Sequence, residues 1–249
     1  MTFTQTGTVD FYWNGPTHNF NPKNVLVYVE GEYGFIPLIV GKALEGEKKP
    51  YIEIMSEKQS VEAFNQMPNT MNPSWTITQL NRDTVSIAIS NWWPMEIDLA
   101  SNPDMWSKAY PMLRDIILFV KEHGAQSLTF FTCMNNQEAD EEAELLVYDM
   151  HNDFRPTQDL ILAPPAWIMP FIAHRMGLRC SVVATTQDEG LFVDDKALSL
   201  AKDYFLAIGL SWDEKKAENT RTTLKNMEVD LTSRRFLMGD EDEDGGWLA

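Results

Sequence analysis

Asn24-Val25-Leu26-Val27-Tyr28-Val29-Glu30-Gly31-Glu32-Tyr33-Gly34-Phe35-Ile36-Pro37-Leu38-Ile39-Val40-Gly41-Lys42-Ala43-Leu44 is the stretch that decides the fold class. Val25 to Val29 is an apolar, β-branched and aromatic run without alternation, the pattern of a strand buried on both faces. It ends in the turn Gly31-Glu32-Tyr33-Gly34, and Phe35 to Leu44 is apolar enough for a short packed helix closed by Gly46. Tyr51 to Met55 reads as the next strand, so the unit is β-α-β, the building block of a parallel sheet. Outward from it, Trp75 to Leu80 and Thr84 to Ser90 form two β-rich runs joined by Asn81-Arg82-Asp83, a hairpin beside that sheet. The expected fold is a single α/β domain with a mixed, mostly parallel sheet flanked by helices.

The rest of the chain follows the same rhythm. Ser101 or Asn102 caps a helix with Pro103 at its first position, Gly124 closes it, and Trp106, Tyr110, Leu113, Ile117 and Val120 recur at helical spacing. Pro111 inside that pattern removes a backbone donor and predicts a kink or a division. Strands are expected at Ser127–Thr132, Leu145–Tyr148 and Cys180–Ala184, and helices at Trp167–Met176, Asp195–Ile208 and Asp213–Met227. The last of these is polar with weak periodicity, as suits an outer helix. From Met238 onward the composition turns to Gly239-Asp240-Glu241-Asp242-Glu243-Asp244-Gly245-Gly246-Trp247-Leu248-Ala249, an acidic tail. The boundaries are therefore residues 1–237 for the domain and 238–249 for a disordered tail.

Composition narrows the function classes. The 249 residues carry 20 Lys plus Arg against 37 Asp plus Glu, a net charge of −17, whose field repels phosphate backbones and argues against a nucleic-acid partner. Met1–Gly15 has no basic stretch followed by an apolar run, and the longest apolar stretch, Leu160–Ala173, is too short for a bilayer and interrupted by Pro164, Pro165 and Pro170. A cytoplasmic chain without membrane association is expected. Cys133 and Cys180 both stand in apolar, strand-like runs and read as reduced core thiols.

The chemistry-bearing residues do not assemble into a known active-site pattern. Gly41-Lys42 is followed by Ala43 where a nucleotide loop needs Ser or Thr, although Gly31, Glu32 and Gly34 remain a candidate ligand turn. The acidic run Glu138, Asp140, Glu141, Glu142 and Glu144 lacks the alternating ligands of a calcium loop, and His18, His123, His151 and His174 form no metal-ligand pair. Neither a metal nor another cofactor is implied. Asp149, His151 and Asp153 cluster after a strand end without a nucleophile motif to accompany them. Trp92-Trp93-Pro94 and Pro164-Pro165-Ala166-Trp167 carry aromatic surface that suits core closure or protein binding.

Three segments together resemble the proteasome assembly chaperone family, in its archaeal and bacterial relatives of the second eukaryotic assembly chaperone. They are the strand and glycine turn Asn24–Gly31, the Asp115–Phe119 helix leading through Gly124 to Leu128–Phe131, and Ala184-Thr185-Thr186 followed by Asp194-Asp195-Lys196-Ala197 at a helix start. The resemblance implies a phosphorylase/hydrolase-like, Rossmann-like architecture and a non-enzymatic protein-binding chaperone or adaptor that assists proteasome assembly or binds proteasome α subunits. It also implies a homo-oligomer, a trimer first. The implied docking residues are Trp247, Leu248 and Ala249, with Asp240, Asp242 and Asp244 steering by charge. Leu248 stands where some relatives carry the Tyr of a docking motif, and Leu162–Trp167 replaces a glycine-rich segment. The rival readings are a binder or enzyme for a nucleoside-like or phosphate-like molecule on the same fold, using the Gly31 to Gly34 turn with Asp149 and His151, and a structural subunit of a larger complex.

Overall fold

The computed structural model describes residues 2–30, 35–56, 75–89, 103–135, 142–150, 164–187 and 193–238. In chain order the strands are β1 (Thr2–Thr6), β2 (Val9–Trp13), β3 (Asn24–Val29), β4 (Ile52–Ser56), β5 (Trp75–Gln79), β6 (Thr84–Ile89), β7 (Ser127–Asn135), β8 (Leu145–Met150) and β9 (Arg179–Gln187). The helices are α1 (Ile36–Glu45), α2 (Pro103–Glu122), α3 (Pro164–Arg175), α4 (Asp195–Ala207) and α5 (Glu214–Met238). All nine strands form one mixed sheet in the order β1-β2-β4-β5-β6-β3-β7-β9-β8.

β3 lies between two parallel neighbours, β6 and β7, with helices on both faces of the sheet. Val25, Val27 and Val29 enter the core shared with α2 and α3, while Leu26 and Tyr28 enter the core shared with α1, α4 and α5. Burial on both sides is why the run is apolar without alternation. The mixed α/β architecture is the expected one, but its balance differs. Three pairings (β3 with β6, β3 with β7, β7 with β9) are parallel, and the other five are antiparallel.

Two features shift that balance. The β5–β6 hairpin, joined through Asn81 to Asp83 as expected, inserts between β3 and β4, so the β-α-β unit is not made of adjacent strands. β4 still points the same way as β3, because two antiparallel steps separate it from β6. The second feature is the hairpin β1–β2, where the sequence assigns no element. Its turn is built around Gly7, whose φ of 60° suits glycine and whose added Cβ would stand 2.1 Å from Asp115 Oδ2. Asp115 on α2 accepts from the Thr8 backbone N–H at 2.8 Å and from its hydroxyl at 3.1 Å, which ties the hairpin to the domain.

Local expectations fail where packing outweighs pattern. Pro111 does not divide α2, since Leu113, Ile116, Ile117 and Val120 are all fully buried and hold the helix on the core. Tyr110, expected on that face, is exposed. α3 starts at Pro164, three residues before Trp167, because prolines in a first helical turn lack only donors that have no intrahelical partner. α5 runs to Met238 and not to Met227. Cys133 and Cys180 are buried and form no disulfide, as expected. Among the described residues no helix is long and apolar enough to cross a membrane.

Candidate functional site

β3, β4, β6, β7 and β9 all end at one edge of the sheet, the edge where open α/β folds bind ligands. The candidate turn Gly31, Glu32 and Gly34 follows β3 there but lies outside the described residues, and its flanks are informative. Glu30 accepts a hydrogen bond from Lys42 Nζ at 2.6 Å, so the lysine of the Gly41-Lys42 pair is already matched with a carboxylate. Phe35 enters α1 in the left-handed region at φ 51°, a conformation that costs energy for a non-glycine residue. Gly41 serves packing: its added Cβ would stand 2.1 Å from the Tyr28 ring. That close approach brings the Tyr28 hydroxyl to Glu45 Oε1 at 2.9 Å, where Ser86 also donates at 2.8 Å. Complete burial, then the nearby Glu45 and Glu30 carboxylates, hold the Tyr28 phenol well above its usual pKa, so it stays a donor.

The other candidates separate. Asp149 is the fifth residue of β8 and does not follow a strand end; His151 and Asp153 lie outside the described residues. Asp149 pairs in register with Ser181, Ser181 with Thr129, and Thr129 with Leu26. It is therefore four residues below the level of Glu30 and three strands away, about 20 Å at ordinary strand spacings. Asp149 thus stands far from the end of β3 that leads into the glycine turn.

Asp149 instead borders a cleft of about 680 Å³ at the opposite edge, with Ser127, Thr129, His174, Arg179 and Ser181 among its lining. Ser181 and Thr129 share a hydrogen bond of 3.0 Å across β7 and β9. Burial and the Asp149 charge raise the Tyr204 phenol above its usual value. Cys180 also lines the cleft, but burial pushes its thiol up to about 12, so it is protonated at neutral pH and no nucleophile. Sequence reading missed Arg179 and the row of hydroxyls. The only signal was polar residues alternating at the starts of β7 and β9.

The remaining candidates have structural roles or fall outside the description. His123 Nδ1 is 2.8 Å from the Phe119 carbonyl, and its ring packs among Trp13, Phe20 and Phe119. Glu142 pairs with Lys196 at 3.0 Å, whereas Glu138, Asp140 and Glu141 are not described. Among the described residues no group of three or more His, Cys, Asp or Glu could hold a metal ion. Trp92, Trp93 and Pro94, the Trp167 side chain, and the docking residues Asp240, Asp242, Asp244, Trp247, Leu248 and Ala249 also lie outside the described residues.

Comparison with solved structures decides the fold. An archaeal proteasome activator from Pyrococcus furiosus superposes with a TM-score of 0.60 at 14% identity, covering 89% of this chain and 99% of that one. This is the fold of the archaeal proteasome-chaperone homologues. A Pyrococcus furiosus homologue of the proteasome-assembly chaperone gives 0.60 at 13% identity, over 93% of this chain and 96% of that one. A Mycobacterium tuberculosis protein of unknown function gives 0.58 at 10% identity, over 92% and 84%. No protein-family model matches the chain, and no curated protein matches it. In this chain the long C-terminal helix α5 packs along α1 and is tied to α4 by the Lys202–Glu214 and Asp195–Arg221 ion pairs, and the acidic segment follows it in sequence.

Proposed function

We propose that this chain is a non-enzymatic protein-binding chaperone or adaptor that acts on proteasome α subunits, works in the cytoplasm and assembles as a homo-oligomer. The observation that carries the reading is the likeness to the two archaeal proteins, which extends over 89% and 93% of this chain and nearly all of each of theirs. The acidic tail after α5 supplies the docking element. Asp240, Asp242 and Asp244 steer it toward a basic-rimmed pocket, and Trp247, Leu248 and Ala249 fill that pocket. Oppositely charged surfaces raise the association rate, and the buried aromatic anchor slows dissociation.

The test is binding of the full chain, and of a chain lacking 239–249, to purified proteasome α-subunit rings, followed by native mass spectrometry. The full chain is expected to bind and the shortened one to lose binding. Equal binding of the two refutes the tail's role, and no binding of either refutes the partner.

A further inference from the structure

The described charges are sorted by edge of the sheet. At the edge where β3, β6, β7 and β9 start, backbone hydrogen bonds tie the loops side by side. The Lys23 N–H donates to the Asp83 carbonyl at 2.7 Å, the Gln126 N–H to the Lys23 carbonyl at 2.8 Å, and the Arg179 N–H to the Gln126 carbonyl at 3.0 Å. Lys121 Nζ donates to the Met176 carbonyl, next to Arg175. Lys23, Arg82, Lys121, Arg175 and Arg179 therefore form one basic row, in which Lys23 is half-buried and the other four are exposed. Among the described residues none of the five makes an ion pair. Exposed Lys48 and Lys49, just before β4, extend the row, and Asp83, Glu122 and Asp149 are too few to neutralise it. The cleft of about 680 Å³ opens beside Arg179, with His174, Thr129 and Ser181 in its lining, so the row has depth. At the opposite edge the cations are matched: Lys196 with Glu142, and Arg221 and Lys225 with Asp195.

The surrounding field selects what such a row can hold. A net charge of −17 repels a long polyanion, whereas a short acidic segment meets the local cations within a screening length of about 10 Å. The densest acidic run in the sequence is Asp240-Glu241-Asp242-Glu243-Asp244. Its own copy cannot place it on the row. α5 begins at the basic edge, where the Asp213 N–H donates to the Ala43 carbonyl at 2.9 Å and Lys216 pairs with Glu47 at 3.0 Å. It runs antiparallel to α4, since Lys202 meets Glu214 while Asp195 meets Arg221. Its 25 residues therefore carry the chain about 37 Å toward the other edge, at 1.5 Å per residue. The acids follow Met238 by two to six residues, and a fully extended chain moves them back by at most about 20 Å.

We infer that the acidic run Asp240–Asp244 of one copy docks on the basic row of a second copy, in a head-to-tail contact. Each copy then offers carboxylates at one end of α5 and unmatched cations at the other, which makes the contact heterologous, closing into a ring or continuing as a chain. The inference does not rest on the proteasome reading, because self-association is measured on this chain alone. A tail held in this way has to leave its neighbour before it meets any other partner.

Sedimentation velocity of the full chain tests it, with circular dichroism as the folding control. The wild type is expected to self-associate at about 50 mM salt and to come apart at about 500 mM, where screening removes most of a surface attraction. Arg175→Glu with Arg179→Glu reverses the row, and Asp240→Asn, Glu241→Gln, Asp242→Asn, Glu243→Gln and Asp244→Asn together neutralise the tail. Each variant alone is expected to self-associate about tenfold or more weakly than the wild type. An equimolar mixture of the two is expected to form a one-to-one complex, since one supplies an intact row and the other an intact tail. A wild type that stays monomeric at low salt overturns the inference, as does self-association unchanged in either variant or a mixture that forms no complex. A single-stranded oligonucleotide that binds the wild type and not the row variant makes the row a nucleic-acid site and also overturns it.

Discussion

Replacing Gly41 with alanine sets two effects of known sign against each other. In the middle of α1, alanine gains about 1 kcal/mol of helix propensity over glycine. The new Cβ, however, would stand 2.1 Å from Tyr28 Cζ and 2.2 Å from Cε2, where carbon contacts ordinarily begin near ~3.5 Å. The ring cannot swing aside, for it is fully buried and its hydroxyl is bonded to Glu45 at 2.9 Å. Either α1 lifts from the sheet, an overpacking cost of about 1–3 kcal/mol, or the bond to the Glu45 carboxylate breaks, at about 1.5–3 kcal/mol. With both partly incurred and the propensity gain subtracted, Gly41→Ala is expected to destabilise by about 2–3 kcal/mol. At this chain length that lowers the melting temperature by about 4–12 °C. Urea unfolding followed by circular dichroism measures it, and the slope should stay constant. Tyr28→Leu removes the ring that the methyl strikes, so the double variant should be at least 1 kcal/mol more stable than the single effects predict. A neutral or stabilising Gly41→Ala, or strict additivity with Tyr28→Leu, would refute the reasoning.

Two further outcomes follow from the titrating groups. Hydrogen bonds from Arg221, with help from Lys225, hold the Asp195 carboxyl below its usual value, so its tie between α4 and α5 is complete above the ordinary carboxylate range and lost as pH falls through the depressed value. Protection of the α5 amides in hydrogen exchange should therefore drop between pH 5 and pH 2 by a small, salt-sensitive amount, about what exposed pairs give, and Asp195→Asn should reduce that drop, leaving the part due to Glu214 and Lys202; a variant that keeps the whole drop rules out a contribution from Asp195. Cys133 and Cys180 are buried, and Cys180 titrates near 12, so a thiol reagent at pH 8 should find no reactive thiol in the native chain and two in guanidinium, whereas fast native labelling would mean that the sheet opens locally.

Much of the fold could be read from apolar runs because each sits where both faces of the sheet are covered. β3 is the clearest case: five consecutive residues, Val25 to Val29, are buried, and no other arrangement explains them. The β5–β6 hairpin was legible for a local reason, since Asn81 Oδ1 accepts from the backbone N–H groups of Asp83 and Thr84. β1 and β2 were not legible. Their turn depends on Asp115, more than a hundred residues away, and Asp10, buried in β2, breaks the apolar signature that would mark the strand. The antiparallel majority was hidden similarly, because strand order is a long-range property and each run reads alike whichever neighbour it takes.

The site was less legible than the fold, and the reason lies in what each feature needs to be seen. Gly31 to Gly34 and Asp149 looked like parts of one constellation only because both stand near strand ends in sequence, yet β8 runs opposite to β3, which sends its end to the far edge. Direction, which a single sequence does not encode, decides which loops meet. α5 presents the reverse case. Its weak periodicity suited an outer helix, and in the structure its buried apolar side chains, among those described, are Ala217 and Leu224, while ion pairs of Glu214, Lys216, Arg221 and Lys225 supply the rest of its described ties to the body.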